Sequence, residues 1–241
     1  MVNVQFPISN FQSQISSYFS TWSMIMLRPI YFYAKLKVED WKTNALSFLL
    51  MTSWLLAFAA SIAVFFVQYL PIGATLLEKV APHRTIFIVP VMIVLAAVFF
   101  LITLFIMAGF FVCALMVGFW LVAYLLHLVF SKLGGKGELN QMLQYIYYSS
   151  AAVLIAAAIF MLMVLVKYAG MDFTIFRFGY NTIYCLLVLY IYGLWAVAGR
   201  KVYGVSKAKA FTGALVPVIA LLIFGFLFDK IALSHLQPWI G

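Results

Sequence analysis

The sequence predicts an all-α, polytopic membrane helix bundle with five transmembrane helices. Three observations predict it. Of 241 residues, 67% are hydrophobic and 9% are charged, against roughly 25% charged in soluble chains, and the mean hydropathy is +1.12. The apolar residues form runs long enough to cross a hydrocarbon core of about 30 Å. The 15 Lys and Arg fall unevenly between those runs, as membrane orientation requires. A soluble domain is excluded, and the length leaves no sizeable extramembrane domain. Residues 1–44 read as a cytoplasmic amphipathic and interfacial segment, and 45–241 as the transmembrane domain.

The first 27 residues carry no charge and no compact apolar core, so they are not expected to be a cleavable leader. After Pro7, the residues Phe11, Ile15, Tyr18, Phe19, Trp22 and Met26 share one face of a helix that Ser9 is placed to cap. Its other face is Ser, Gln, Asn and Thr without a charge. Such a helix gains nothing from anionic lipid and binds a bilayer only through its apolar side, the chemistry of a lipid-packing sensor with Phe11, Ile15, Phe19 and Trp22 as the lipid contacts. The same pattern equally suits a segment docked on the bundle or resting at the interface. From Pro29 to Trp41, aromatic residues mix with Lys35, Lys37 and, just beyond, Lys42 as an interface belt.

The first span runs from Ala45 to Phe66, 22 residues without charge. From Thr85 to Ser131 no charge occurs for 47 positions, which as one helix is about 70 Å. Three further spans follow: about 145–166, about 175–198, and 211–228. The long run crosses once or twice, and the cations decide. With five spans and the N-terminus inside, Arg28, Lys35, Lys37, Lys42, Lys132, Lys136, Arg200, Lys201, Lys207 and Lys209 lie in the cytoplasm. Lys79, Arg84, Lys167, Arg177 and Lys230 lie outside, 10 against 5. Six spans give 7 against 8, no bias at all. The long run is therefore expected to cross once, bent or broken near Gly109 or Gly118, and the C-terminus to lie outside.

The small-xxx-small spacings Ala152/Ala156 and Ala114/Gly118 fit close helix packing or a homo-oligomer seam. Asn181 and Tyr184 are the intramembrane polar candidates, placed to pair between helices. His127 is a lone imidazole that reads as interfacial packing. The chain from Gly199 to Ala210 reads as a loop whose Arg200, Lys201, Lys207 and Lys209 suit anionic headgroups at about 1 kcal/mol each. Gly134 to Gly137 lacks the phosphate-loop GxxxxGK[ST] and reads as a helix stop and turn. Cys113 and Cys185 lie in apolar runs without metal-ligand spacing, so neither a disulfide nor a metal site is expected. No catalytic constellation, and hence no enzyme activity or cofactor, is expected. Scattered cations speak against nucleic acid.

Several stretches together resemble the Yip-domain family of multi-pass membrane proteins in its short, prokaryotic-type form. They are Leu27-Arg28-Pro29 with aromatics leading to Trp41, and Gly134-Gly135-Lys136-Gly137 with Gln141 and Tyr148-Ser149-Ser150-Ala151. Trp195 and Gly204-Val205-Ser206-Lys207-Ala208-Lys209-Ala210 complete the set, which covers about 27–228. The resemblance implies five spans, a cytoplasmic N-terminus, and, for eukaryotic members, roles in membrane organisation and vesicle traffic. The Asp-Leu-Tyr-Gly-Pro motif of eukaryotic trafficking members is absent, which puts GTPase binding in doubt. Ala151 stands about where prokaryotic members often carry proline. The expectation is a non-enzymatic integral protein of a prokaryotic cytoplasmic membrane, with membrane lipids as its partners, that organises or shapes the bilayer or scaffolds other membrane proteins. The alternative is a transporter or channel subunit for a lipid or small apolar compound.

Overall fold

The computed structural model describes residues 11–240, which fold without a strand into a helical bundle. Two short helices lead in, α1 (Phe11–Leu27) and α2 (Pro29–Lys35). Five long ones follow: α3 (Asn44–Glu78), α4 (Pro82–Lys132), α5 (Leu139–Tyr168), α6 (Phe173–Tyr203) and α7 (Lys207–Ile231). Each of the five is long and apolar enough to cross a membrane. A single turn (Leu233–Leu236) and α8 (Gln237–Ile240) finish the chain.

The helix ends follow from local chemistry. Pro29 opens α2 at a position where its missing N–H costs nothing. Asp172 caps α6 by accepting from the Thr174 backbone N–H at 2.6 Å, and the Ser206 hydroxyl does the same for Lys209 in α7 at 3.4 Å. These Thr174 hydrogen bonds hold the Asp172 carboxyl below its usual range. At the end of α4, Gly134 takes a φ of +91°, its N–H donating to Ser131 and that of Gly135 to Phe130 at 3.1 and 3.0 Å. That is a Schellman stop, open to glycine because its φ lies in the left-handed region.

Two expectations need correction. The 51 residues of α4 form one helix that runs through both Gly109 and Gly118 without interruption. Nothing in the packing forces a break there: a Cβ at either glycine would meet no atom within 4 Å. The supposed loop from Gly199 is also mostly helix. α6 continues to Tyr203, where Gly204 turns it at φ +66°, and only Gly204 to Ser206 separates it from α7.

Two helices do depart from α geometry. α3 contains a π turn at Phe65–Tyr69, and the Tyr168 hydroxyl donates to the Phe66 carbonyl at 2.7 Å. α5 runs as a 3-10 helix over Ser150–Ala156, with carbonyls that neighbouring side chains reach. Such local changes in winding need partners for the displaced backbone groups.

The bundle has two ends. At one, α2 and the 36–43 segment meet the 133–138 turn and the α6–α7 connection. At the other, Lys167 donates to the Trp239 carbonyl at 2.5 Å and Arg177 pairs with Asp229. One core spans α1 to α7, with Tyr18, Ile25, Phe32 and Tyr33 from the lead-in segment packed beside Trp195, Phe48 and Tyr148. Small residues let the backbones close up around it: Ala151, Ala152, Ala196, Ala198, Ala210 and Ala214 are almost wholly buried.

Candidate functional site

The strongest concentration of function-bearing groups lies at the end that gathers α2, the 133–138 turn and the α6–α7 connection. Among the sequence-selected cations, Arg200 and Lys201 stand in the last turn of α6, and Lys207 and Lys209 in the first of α7. All four are exposed, and so are Lys132 and Lys136 on the facing α4 stop. The two segments touch: the Lys136 N–H donates to the Tyr203 carbonyl at 3.4 Å, and Lys209 Nζ to the Leu133 carbonyl at 2.9 Å. Lys209 is thus a strut across the C-terminus of α4, a favoured place for a cation. The others form a shallow basic surface. Beneath it, His127 Nδ1 hydrogen-bonds the Tyr203 hydroxyl.

The second group is α1. Its stripe is only partly turned outward: Phe19 is 46% exposed and Ile15 half-buried. Trp22 donates from Nε1 to the Ala151 carbonyl in the 3-10 stretch at 2.9 Å. The Phe11 side chain and Ser9 lie outside the described residues. Tyr18, in the same stripe, is buried against Phe48 and hydrogen-bonds Thr52 at 2.8 Å. Further contacts stitch the lead-in segment down. Tyr190 donates to the Met26 carbonyl at 2.7 Å, and Tyr33 and Tyr145 each donate to the other's carbonyl at 3.1 and 3.2 Å. Gln144 donates to the Lys37 carbonyl at 2.8 Å and accepts from the Glu39 N–H at 3.3 Å. Burial raises the Tyr18 and Tyr33 phenols above the usual tyrosine value. Periodicity located the stripe, but none of these partners was visible in it.

The third group sits toward the opposite end. Tyr184 donates to the Leu221 carbonyl at 2.6 Å, and Asn181 Nδ2 to Asp229 at 3.4 Å. Arg177 grips the same carboxylate twice, from Nε at 2.7 Å and from the guanidinium terminus at 2.6 Å. The sequence placed Arg177 only among the outside cations, and Asp229 just past the end of the last span. A usable signal was present: opposite charges stand near the unjoined ends of two consecutive antiparallel helices, Arg177 at the start of α6 and Asp229 at the end of α7. Among the described residues no cluster of three or more His, Cys, Asp or Glu could hold a metal, and the free thiols Cys113 and Cys185 are exposed on apolar helices.

No curated protein and no solved structure is significantly similar to the chain. The stretch that holds α2 to α7 does match one family model. The Yip1 domain matches residues 22–228, most of the chain, which therefore belongs to the Yip1 domain family of membrane proteins.

Proposed function

We propose that the protein is a non-enzymatic organiser of the bilayer, which holds anionic lipid at its basic end and so shapes the membrane or scaffolds other membrane proteins there. The observation that carries this reading is the joining of two cation-bearing segments. The α4 stop with Lys132 and Lys136 is tied to the α6–α7 connection with Arg200, Lys201 and Lys207 by the Lys136 N–H to Tyr203 carbonyl bond, and all five residues are exposed, charge that a leaflet rich in anionic headgroups neutralises. Membership of a family of non-enzymatic membrane proteins is in keeping with it. The internal bonding of Tyr184 and Asn181 leaves a transporter few polar groups to offer a cargo. On this reading the basic end faces the cytoplasm of a prokaryotic cell, and Phe19 on α1 adds an apolar contact beside it.

The test uses the full chain in nanodiscs that contain equal anionic and zwitterionic lipid, with the retained lipids counted by native mass spectrometry. Replacing Lys136, Arg200, Lys201 and Lys207 together by Gln should lower the preference for anionic lipid by at least about tenfold, each cation being worth about 1 kcal/mol. Lys209 is left intact because of its bond to Leu133. An unchanged preference overturns the reading.

A further inference from the structure

Trp41, Trp120 and Tyr147 converge on one open cavity of about 300 Å³ between the segment leading into α3, the last third of α4 and the first turns of α5, with Met116 and Val117 as its remaining wall. Interfacial aromatic residues are common, but they are ordinarily scattered singly around a bundle. Here they face a shared space. Trp41 and Tyr147 stand edge to face, 5.3 Å between centroids at 89°, and Trp120 is braced from behind by Tyr124, stacked at 5.8 Å and 3°.

Two features indicate what enters. The Tyr147 ring is buried, while its hydroxyl and the indole N–H of Trp41 and of Trp120 are left without a hydrogen-bond partner among the described residues, the Tyr147 and Trp41 atoms not being sealed from solvent and Trp120 being exposed. Trp22 and Trp195, by contrast, spend theirs on Ala151 and Ser149. The chain's own Lys42 Nζ lies 5.8 Å from the Trp41 ring centroid, which puts a cation at the edge of the cavity. A site with electron-rich faces, unpartnered donors and a basic residue at its edge matches a group that carries a cation beside a phosphate.

We propose that this cavity binds the ammonium headgroup of a zwitterionic phospholipid, the ammonium among the three rings and the phosphate toward Lys42 and the phenol of Tyr147. The ligand comes from the membrane because the cavity opens beside Met116 and Val117, on the exposed apolar face of α4. The site shares none of the four cations replaced in the anionic-lipid test and does not rest on that reading.

The experiment compares two lipids in nanodiscs around the full chain: a phosphatidylcholine and its isostere with a 3,3-dimethylbutyl headgroup, which keeps the phosphate and the shape but loses the positive charge. Native mass spectrometry should find the choline lipid retained about tenfold better. Trp120→Leu should abolish that preference, and Trp120→Phe should keep part of it. Trp120 is 42% exposed, so neither change disturbs the core, and the four-Gln variant of the basic end should leave the preference as it was. Equal retention of the two lipids, or a preference that survives Trp120→Leu, overturns the proposal. So does a cavity emptied of lipid by millimolar tetramethylammonium with no preference between the two lipids, which would assign the rings to a soluble cation.

Discussion

Phe130 shows how tightly single residues are fitted where the basic surface is assembled. It is fully buried at the end of α4, and Gly199 of α6 and Gly213 of α7 lie flat against its ring. A Cβ at Gly199 would stand 2.3 Å from the ring tip, and one at Gly213 2.5 Å from its edge. Overfilling a packed site of this kind costs about 1–3 kcal/mol. Gly199→Ala and Gly213→Ala should each lower the thermal unfolding midpoint in detergent, and Phe130→Leu should restore part of the loss in either background. A Gly199→Ala protein as stable as the original would show that α6 does not approach α4 this closely. The sequence made Gly199 look like the first residue of a loop, because glycine beside Arg200 and Lys201 ends helices as readily as it lets them touch. Only the presence of Phe130, 69 positions away in the chain, distinguishes the two.

At the scale of elements, α1 carries the clearest amphipathic pattern in the chain, and that pattern did not identify its partner. A stripe at i, i+4, i+7 and i+11 reports that one face avoids water. Lipid and a neighbouring bundle satisfy it alike, since both are apolar. The hydrogen bonds of Trp22 to Ala151 and of Tyr190 to Met26 break the tie toward docking along the inner edge of the stripe, while Phe19 remains outside. The 3-10 winding of Ser150–Ala156 belongs to the same contact, for it is Ala151 in that stretch whose carbonyl Trp22 reaches. No local propensity in the run Ser-Ala-Ala-Val-Leu-Ile-Ala announces it. Trp22→Phe combined with Tyr190→Phe removes these bonds and little volume, at about 1 kcal/mol for each bond. Hydrogen exchange at residues 18–27 in detergent should then quicken by roughly tenfold or more, while the middles of α6 and α7 keep their protection. Uniform quickening would mean that the lead-in segment is part of the global fold and not a separately docked element.

For the whole molecule, span number was legible because hydrophobic length and cation placement are long-range averages that survive local errors, and the misplaced start of the 199–210 loop changed neither. The Arg177–Asp229 pair was not legible, since it depends on which helices become neighbours. The two ends of the bundle differ in charge. The segments with α2, the α4 stop and the α6–α7 connection hold ten Lys and Arg and three carboxylates, the opposite end five and three. Ten Lys and Arg against five is the asymmetry that keeps basic loops on the cytoplasmic side. α4 sharpens the point: at 51 residues it is about 76 Å long, far more than a core of about 30 Å, yet its helix contains no turn that would let it cross twice. Reporter tags placed before residue 11, within 133–137, between 169 and 172, and after Gly241 should therefore divide two and two, the first pair cytoplasmic and the second on the far side. Both termini on one side would contradict the uninterrupted α4, whereas a two-and-two division with the sides exchanged would spare the bundle and remove anionic lipid of the cytoplasmic leaflet as the partner of its basic end.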